Sequence, residues 1–133
     1  MKALSIRPEF AMEILRGEKT EEYRSWTTHY RGNLLICNSA RKKKGTVAGH
    51  ALCVAKIIAI EKRYNEEYDE IYYAWKFAPF REAGSYWIKP IPVKGQLKLF
   101  NVDDQLIHPA PFKDINSPQA VQWWDKEIAP LIY

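Results

Sequence analysis

KALSIRPEFAMEILRGEKTEEYR, from Lys2 to Arg24, changes its hydrophobic period once and then places four charged residues in the six positions Lys19 to Arg24. Lys2 to Ile6 alternates polar and apolar residues with period two, the pattern of a half-buried strand. Pro8 supplies the fixed φ suited to a first helical turn. In Glu9 to Arg16 the apolar residues Phe10, Ala11, Ile14 and Leu15 share one face of a short helix, which Gly17 can close in the left-handed conformation. The expectation is a strand that feeds a helix, with a sharp exit at Gly17 and a charged segment directly after it.

Further along, Asn33 to Asn38 is an apolar run that predicts a buried strand, and the polar Ser39 to Gly45 predicts an exposed loop. Thr46 to Ile60 is rich in Val, Ile and Ala, contains Gly49 and is long for one flat strand, so a bent or bulged strand at a barrel corner is expected. From Glu66 to Phe77, Tyr68, Ile71, Tyr72 and Trp75 recur at i, i+3, i+4 and i+7 against an acidic face, which predicts an amphipathic helix ended by Pro79. Tyr86 to Lys89 and Gln96 to Val102 alternate again as two late strands. Ser117-Pro118 has helix-start chemistry, and Ala120, Trp123, Trp124 and Ile128 continue a final helix over about 117–129 until Pro130. Together these elements predict one α+β domain over residues 1–133, a small mixed β-barrel with helices packed outside it.

Composition narrows the function classes. A chain of 133 residues with 47% hydrophobic content can bury its own core, so neither disulfides nor a metal are needed to hold it. Cys37 and Cys53 sit in apolar stretches without CxxC spacing, and no metal site or cofactor is implied. The opening MKALSIRPEF has no secretory leader pattern, and charges interrupt every window of roughly 20 residues, the length of a bilayer crossing. A cytoplasmic protein with no membrane segment is the expectation.

Charge is divided unevenly. Residues 1–63 carry 13 Lys and Arg against 6 Asp and Glu, whereas residues 64–133 carry 7 against 10. A basic half of this kind suits a nucleic-acid partner, because Lys and Arg release condensed counterions when they meet phosphates. The run Arg41-Lys42-Lys43-Lys44 is the densest part of it, and it also reads as ordinary solvated surface. Trp26, Tyr30 and Trp87 fall in or near loops where a base could stack, and Tyr23 suits either such a role or the core. His29, His50 and His108 are scattered, with His50 read as a satisfied core histidine, and Asp103-Asp104 reads as a turn. A C-terminal Trp123-Trp124 helix that docks a partner is a further alternative.

The charged segment holds the chemistry. Lys19 and Glu22 can face one another across the turn after Gly17, and Glu22 and Arg24, two apart, share a face if the chain is extended. A lysine, a carboxylate and a guanidinium would then converge on one small pocket.

The string Gly-x-Lys-x-x-Glu-x-Arg, at Gly17, Lys19, Glu22 and Arg24, following Ser5-Ile6-Arg7-Pro8 and a short helix, resembles the signature of the ASCH domain family. The resemblance extends over most of residues 3–102, through Arg31 to Ile36, Gly49 to Ile60, Tyr73-Ala74-Trp75 and Pro90 to Leu97. It implies a β-barrel of the PUA-like superfamily and a nucleic-acid ligand, with RNA the first expectation, bound in a cleft beside the first helix. Carried over, Lys19, Glu22 and Arg24 line that cleft, with Ser5 and Arg7 on its rim. Arg24 would grip a phosphate as a fork, Lys19 would act as a point charge, and Glu22 would accept from a base edge. Arg41, Lys42, Lys43 and Lys44 would add phosphate contacts that carry no sequence information.

The family also contains enzymes, so hydrolysis of a modified nucleoside or of RNA is the alternative, with Lys19 and Glu22 as its catalytic pair. In the acetylcytidine amidohydrolase pattern of the family, a nucleophilic threonine stands three residues after the motif lysine, where this chain has Glu22. The departure removes the hydroxyl that would be acylated, which leaves Glu22 as a general base on water and favours a binding module.

Overall fold

The computed structural model describes all 133 residues. Its elements are β1 (Lys2–Ile6), α1 (Pro8–Leu15), β2 (Glu21–Arg24), β3 (Gly32–Asn38), β4 (His50–Asn65), β5 (Glu70–Phe77), β6 (Tyr86–Pro92), β7 (Phe100–Asn101) and α2 (Pro118–Trp123). The seven strands form one mixed sheet in the order β2-β5-β4-β3-β1-β7, with β6 paired to β4 off that path. Strand β1 runs parallel to β3, and every other pairing is antiparallel. The α+β class is as expected. Strands β2 and β7, at the two ends of the order, do not pair, so hydrogen bonds do not close this sheet into a barrel.

Both faces of the sheet are covered where β1, β3 and β4 meet. Leu4, Ile6, Leu34, Ile36, Leu52 and Ile57 pack on one side with α1 and with Ala120 of α2, while Ala3, Leu35, Cys37, Val54, Ile88 and Phe100 pack on the other. Burial on both faces explains the unbroken apolar run Leu34 to Cys37, since neither parity of side chain meets water. Cys37 and Cys53 are free thiols inside this region, and burial pushes the Cys37 thiol up to about 12. That makes them inert apolar fillers.

The long bent strand is present, shifted toward the C-terminus. It is β4, which begins at His50 after Gly49 in the left-handed region (φ +68°) and runs to Asn65. Register shifts at Ala51/Cys53 and Ile57/Ala59 let it serve β6, β3 and β5 in turn.

Three expected elements are corrected. Glu66–Phe77 is not a helix: Glu66–Asp69 is a turn and Glu70–Phe77 is β5, paired with β4 and then with β2. Ile71, Tyr73, Trp75 and Phe77 also alternate with period two, and their β-branched and aromatic character suits a strand. The turn is set by Asn65, whose side chain accepts from the Glu67 amide at 3.0 Å, and by Asp69 at φ +50°. Gln96–Val102 contributes only the two-residue β7, and Leu97 lies in a loop, 94% exposed. The final helix is α2 as far as Trp123, continued by a wider turn over Trp124–Ile128 and a tight one over Ala129–Leu131. Pro130 lies inside the last turn instead of stopping it. No helix is long and apolar enough to cross a membrane.

Candidate functional site

Helix α1 ends as its sequence demands. Gly17 takes φ +76°, its amide donates to the Ile14 carbonyl, and the Glu18 and Lys19 amides donate to Glu13, so the chain reverses within one turn and enters β2. The reversal brings Lys19 back against the strand that follows it.

Strand β2 then sorts its charges by parity. Glu22 pairs in register with Trp75 and Arg24 with Tyr73, which places both on the inner face of the β2-β5 ribbon, while Glu21 and Tyr23 face outward. Glu22 is 6% exposed. Its Oε1 accepts from the Tyr23 amide at 3.1 Å and lies 3.7 Å from Lys19 Nζ, and its Oε2 accepts from Arg24 Nη2 at 3.0 Å. The same Nη2 donates to the Ser5 carbonyl at 3.1 Å. Strand β7 pairs with β1 only at Lys2 and Ala3, which leaves this carbonyl free for a side chain. Arg24 thus ties β2 to β1, which have three strands between them in the sheet order, and the sheet curls far enough for a side chain to span the gap.

The four motif residues Ser5, Lys19, Glu22 and Arg24 therefore meet in one cluster, and the cluster is not saturated. Arg24 Nε is buried without a hydrogen-bond partner, and Lys19 reaches Glu22 only at ion-pair distance. Over Ser5 lies the segment containing Gly95, where a Cβ would come within 2.6 Å of Ser5 Oγ. The late stretch around Gly95 thereby walls the rim, so close to Ser5 that a side chain there would make the serine shift.

Arg7 and the basic loop gather at the other end of α1. Arg7 Nε lies 2.9 Å from Glu9 Oε1, and Lys43 Nζ lies 4.0 Å from Glu9 Oε2. The Glu9 carboxyl is held below its ordinary value by the backbone amide of its own residue, against the opposing effect of burial, with Lys43, Arg7 and Arg41 adding to the lowering. Lys42 Nζ lies 5.9 Å from the centre of the Tyr133 ring, and Lys44 is exposed.

Aromatic roles divide differently from the expectation. Trp87 is core, 4% exposed, and its Nε1 donates to the Leu15 carbonyl at 2.9 Å. It is therefore no stacking surface. Tyr30 donates its hydroxyl to the Asn33 carbonyl, and Trp26 packs edge-on against Trp75 at 4.9 Å with Lys98 Nζ 5.8 Å from its ring centre. Trp123 and Trp124 are half-buried against Phe112 and Trp87. His50 is half-buried, with Nδ1 2.8 Å from the Ala48 carbonyl.

Two features of the site carry no local mark in the sequence. Lys98 is a cation beside Trp26 that only the path of the late loop reveals. Lys19 also borders a cleft of about 610 Å³ whose other walls include Ile14, Phe77, Phe80, Arg81 and Asp114. Those residues come from three separate segments, so no local pattern marks them.

The family model for the ASCH domain matches residues 4–127. The chain belongs to the ASCH domain family. This family is associated with RNA binding. Among solved structures, the ASCH protein of Zymomonas mobilis is similar at 17% identity over 78% of this chain and 88% of that one, with a TM-score of 0.56. Two point variants of the same protein match with TM-scores of 0.57 and 0.54, at 17% and 18% identity, over 78% of this chain and 89% and 91% of theirs. At that identity the likeness speaks for the fold alone. No curated protein matches this chain.

Proposed function

We propose that this ASCH domain binds RNA across the Lys19, Glu22 and Arg24 cluster and along α1 to Arg7 and the Arg41–Lys44 loop. The observation that carries the reading is the unsaturated cluster itself: Arg24 and Lys19 keep donors to spare beside a carboxylate that fixes their positions. Spare charge-assisted donors held beside a fixed carboxylate suit phosphate oxygens, which accept from a guanidinium fork and an ammonium. The basic loop would contribute contacts that position the strand without reading it.

Binding is favoured over turnover by the state of Glu22. Both of its oxygens are engaged, by the Tyr23 amide and by Arg24, and the side chain is nearly closed to solvent. A general base needs a free oxygen within reach of water or substrate. Glu22 acts here as the anchor of two cations.

Fluorescence anisotropy with labelled single-stranded RNA, duplex RNA and duplex DNA at two salt concentrations tests the reading. Salt-sensitive RNA binding is expected, with a loss of at least about 30-fold in the Lys19→Ala/Arg24→Ala double variant. No binding to any of the three at low salt would overturn it.

A further inference from the structure

Phe10 and Tyr23 are the two large aromatic side chains left exposed next to the motif, and both flank the same ammonium. Helical spacing puts Phe10 with the core-facing residues of α1, yet it is 38% exposed, and Tyr23 is 50% exposed. Lys19 Nζ lies 5.5 Å from the Phe10 ring centre and 4.5 Å from that of Tyr23. Phe10 also has the Arg7 guanidinium 5.9 Å from its centre. Successive contacts run Lys43, Glu9, Arg7, Phe10, Lys19, Tyr23, so the Phe10 ring lies between the basic loop and the motif lysine, and the Tyr23 ring lies beyond it.

Exposed rings interleaved with cations have a specific use. A phosphate track alone binds duplex and single strand alike, whereas a ring exposed beside it offers a π-face to any unpaired base. An isolated exposed Phe needs no explanation. Two exposed rings sharing one lysine, between cations on both sides, form an arrangement a solvated helix face does not require.

We infer that Phe10 and Tyr23 stack unpaired bases of the bound strand, with Lys19 between them on the backbone, so that the domain prefers single-stranded to duplex RNA. The inference rests on the RNA-binding reading and adds the strandedness of the ligand and the residues that select it. Arg7 is more than half exposed, so its guanidinium can leave the Phe10 face to a base and take the adjoining phosphate. Tyr23 is fixed from below by its edge-on contact with Tyr72 and by its hydroxyl bond to Glu21, which leaves the ring oriented without using its exposed area.

The test compares a labelled 12-nucleotide oligo(A) with a 12-base-pair RNA duplex, each titrated with the full chain and with Phe10→Ala, Phe10→Trp and Tyr23→Ala. Stacking worth about 1 to 3 kcal/mol per base predicts a loss of about 5- to 150-fold for oligo(A) in each alanine variant. Duplex affinity and the salt dependence should stay within about twofold, and Phe10→Trp should keep oligo(A) affinity and show tryptophan quenching on binding. Equal losses on both ligands, or no loss in Phe10→Ala while Lys19→Ala/Arg24→Ala still abolishes binding, would overturn the stacking step and leave the RNA reading standing. No oligo(A) or duplex binding by the wild-type chain would overturn both, and circular dichroism of each variant separates a lost contact from a lost fold.

Discussion

Glu21 and Glu22 are neighbours in sequence, each paired with an arginine, and they stand on opposite faces of the same strand. On the outer face, Arg63 grips Glu21 with two parallel hydrogen bonds of 3.0 and 2.8 Å and reaches Glu61 at 2.7 Å, while Lys76 closes the group on Glu61. On the inner face, Arg24 spends one nitrogen on two acceptors and leaves Nε bare, and Lys19 stops at 3.7 Å. The first network is closed on itself. The second is held in place by burial and by the fold, not by satisfying its own donors, and that is the condition under which a ligand gains by arriving. A Glu-Arg pair is thus read as structural or functional by counting the donors it leaves over.

The contrast is broken most directly by truncating each arginine. Arg24→Ala leaves Glu22 buried with only Lys19 nearby, so it should destabilise the domain toward the lower end of the roughly 3–5 kcal/mol seen for broken buried pairs, and RNA affinity should fall at least about 10-fold. Arg63→Ala should destabilise the domain far less, since water screens that pair, and leave RNA affinity within twofold. Urea melts and anisotropy on both variants decide it. Comparable affinity losses would mean that donor satisfaction does not distinguish the two faces.

How much of this was legible depends on how local the cause is. The β1–α1–Gly17 unit follows from a period change, a proline and a glycine, and the convergence of Lys19, Glu22 and Arg24 follows from a tight exit and strand parity. Residues 66–77 misled because Tyr68, Ile71, Tyr72 and Trp75 satisfy a helical period while Ile71, Tyr73, Trp75 and Phe77 satisfy a strand period. Only pairing with β4 and β2 selects between them. Phe10 misled in the opposite sense: its spacing is that of a core residue, but α1 is too short and the cover above it too sparse to bury it. The bridge from Arg24 to the Ser5 carbonyl depends on β7 being two residues long, and nothing within Gln96–Val102 announces that. The cleft beside Lys19 is wholly non-local.

A third carboxylate lies between the two cases and sharpens them. Glu9 is bonded to Arg7 through one oxygen, while its other oxygen is buried, has no hydrogen bond and lies 4.0 Å from Lys43. Here the half-satisfied member is the acid, so it competes with phosphate for the surrounding cations instead of presenting them. Glu9→Gln should raise RNA affinity about threefold at low salt and steepen the dependence on log salt by up to about one, as one further phosphate contact would. Weaker binding in Glu9→Gln would mean that Glu9 arranges Arg7 and Lys43 for the ligand.

The smallest effect separates the closed pair by acid. The Glu21 carboxyl is held below its ordinary 4.5 first by the Arg63 hydrogen bonds, with help from the Tyr23 hydroxyl and from Lys76 and against the effect of burial. A carboxyl depressed in the folded state binds its proton more readily when unfolded, so its contribution to stability is fully present above about pH 4.5 and is lost as pH falls through the lowered value. The stability difference between wild type and Glu21→Gln should therefore be constant from pH 8 to 5, at no more than about 1 kcal/mol for so accessible a pair, and shrink below pH 4.5. Glu61 titrates against the same arginine, so the comparison is repeated in the Arg63→Ala background, where the acid-sensitive part of the difference should largely vanish. RNA affinity at neutral pH should not change in Glu21→Gln. A change there would connect the outer network to the inner one through Tyr23, whose hydroxyl bonds Glu21 while its ring faces Lys19, and the two faces would then act as one site.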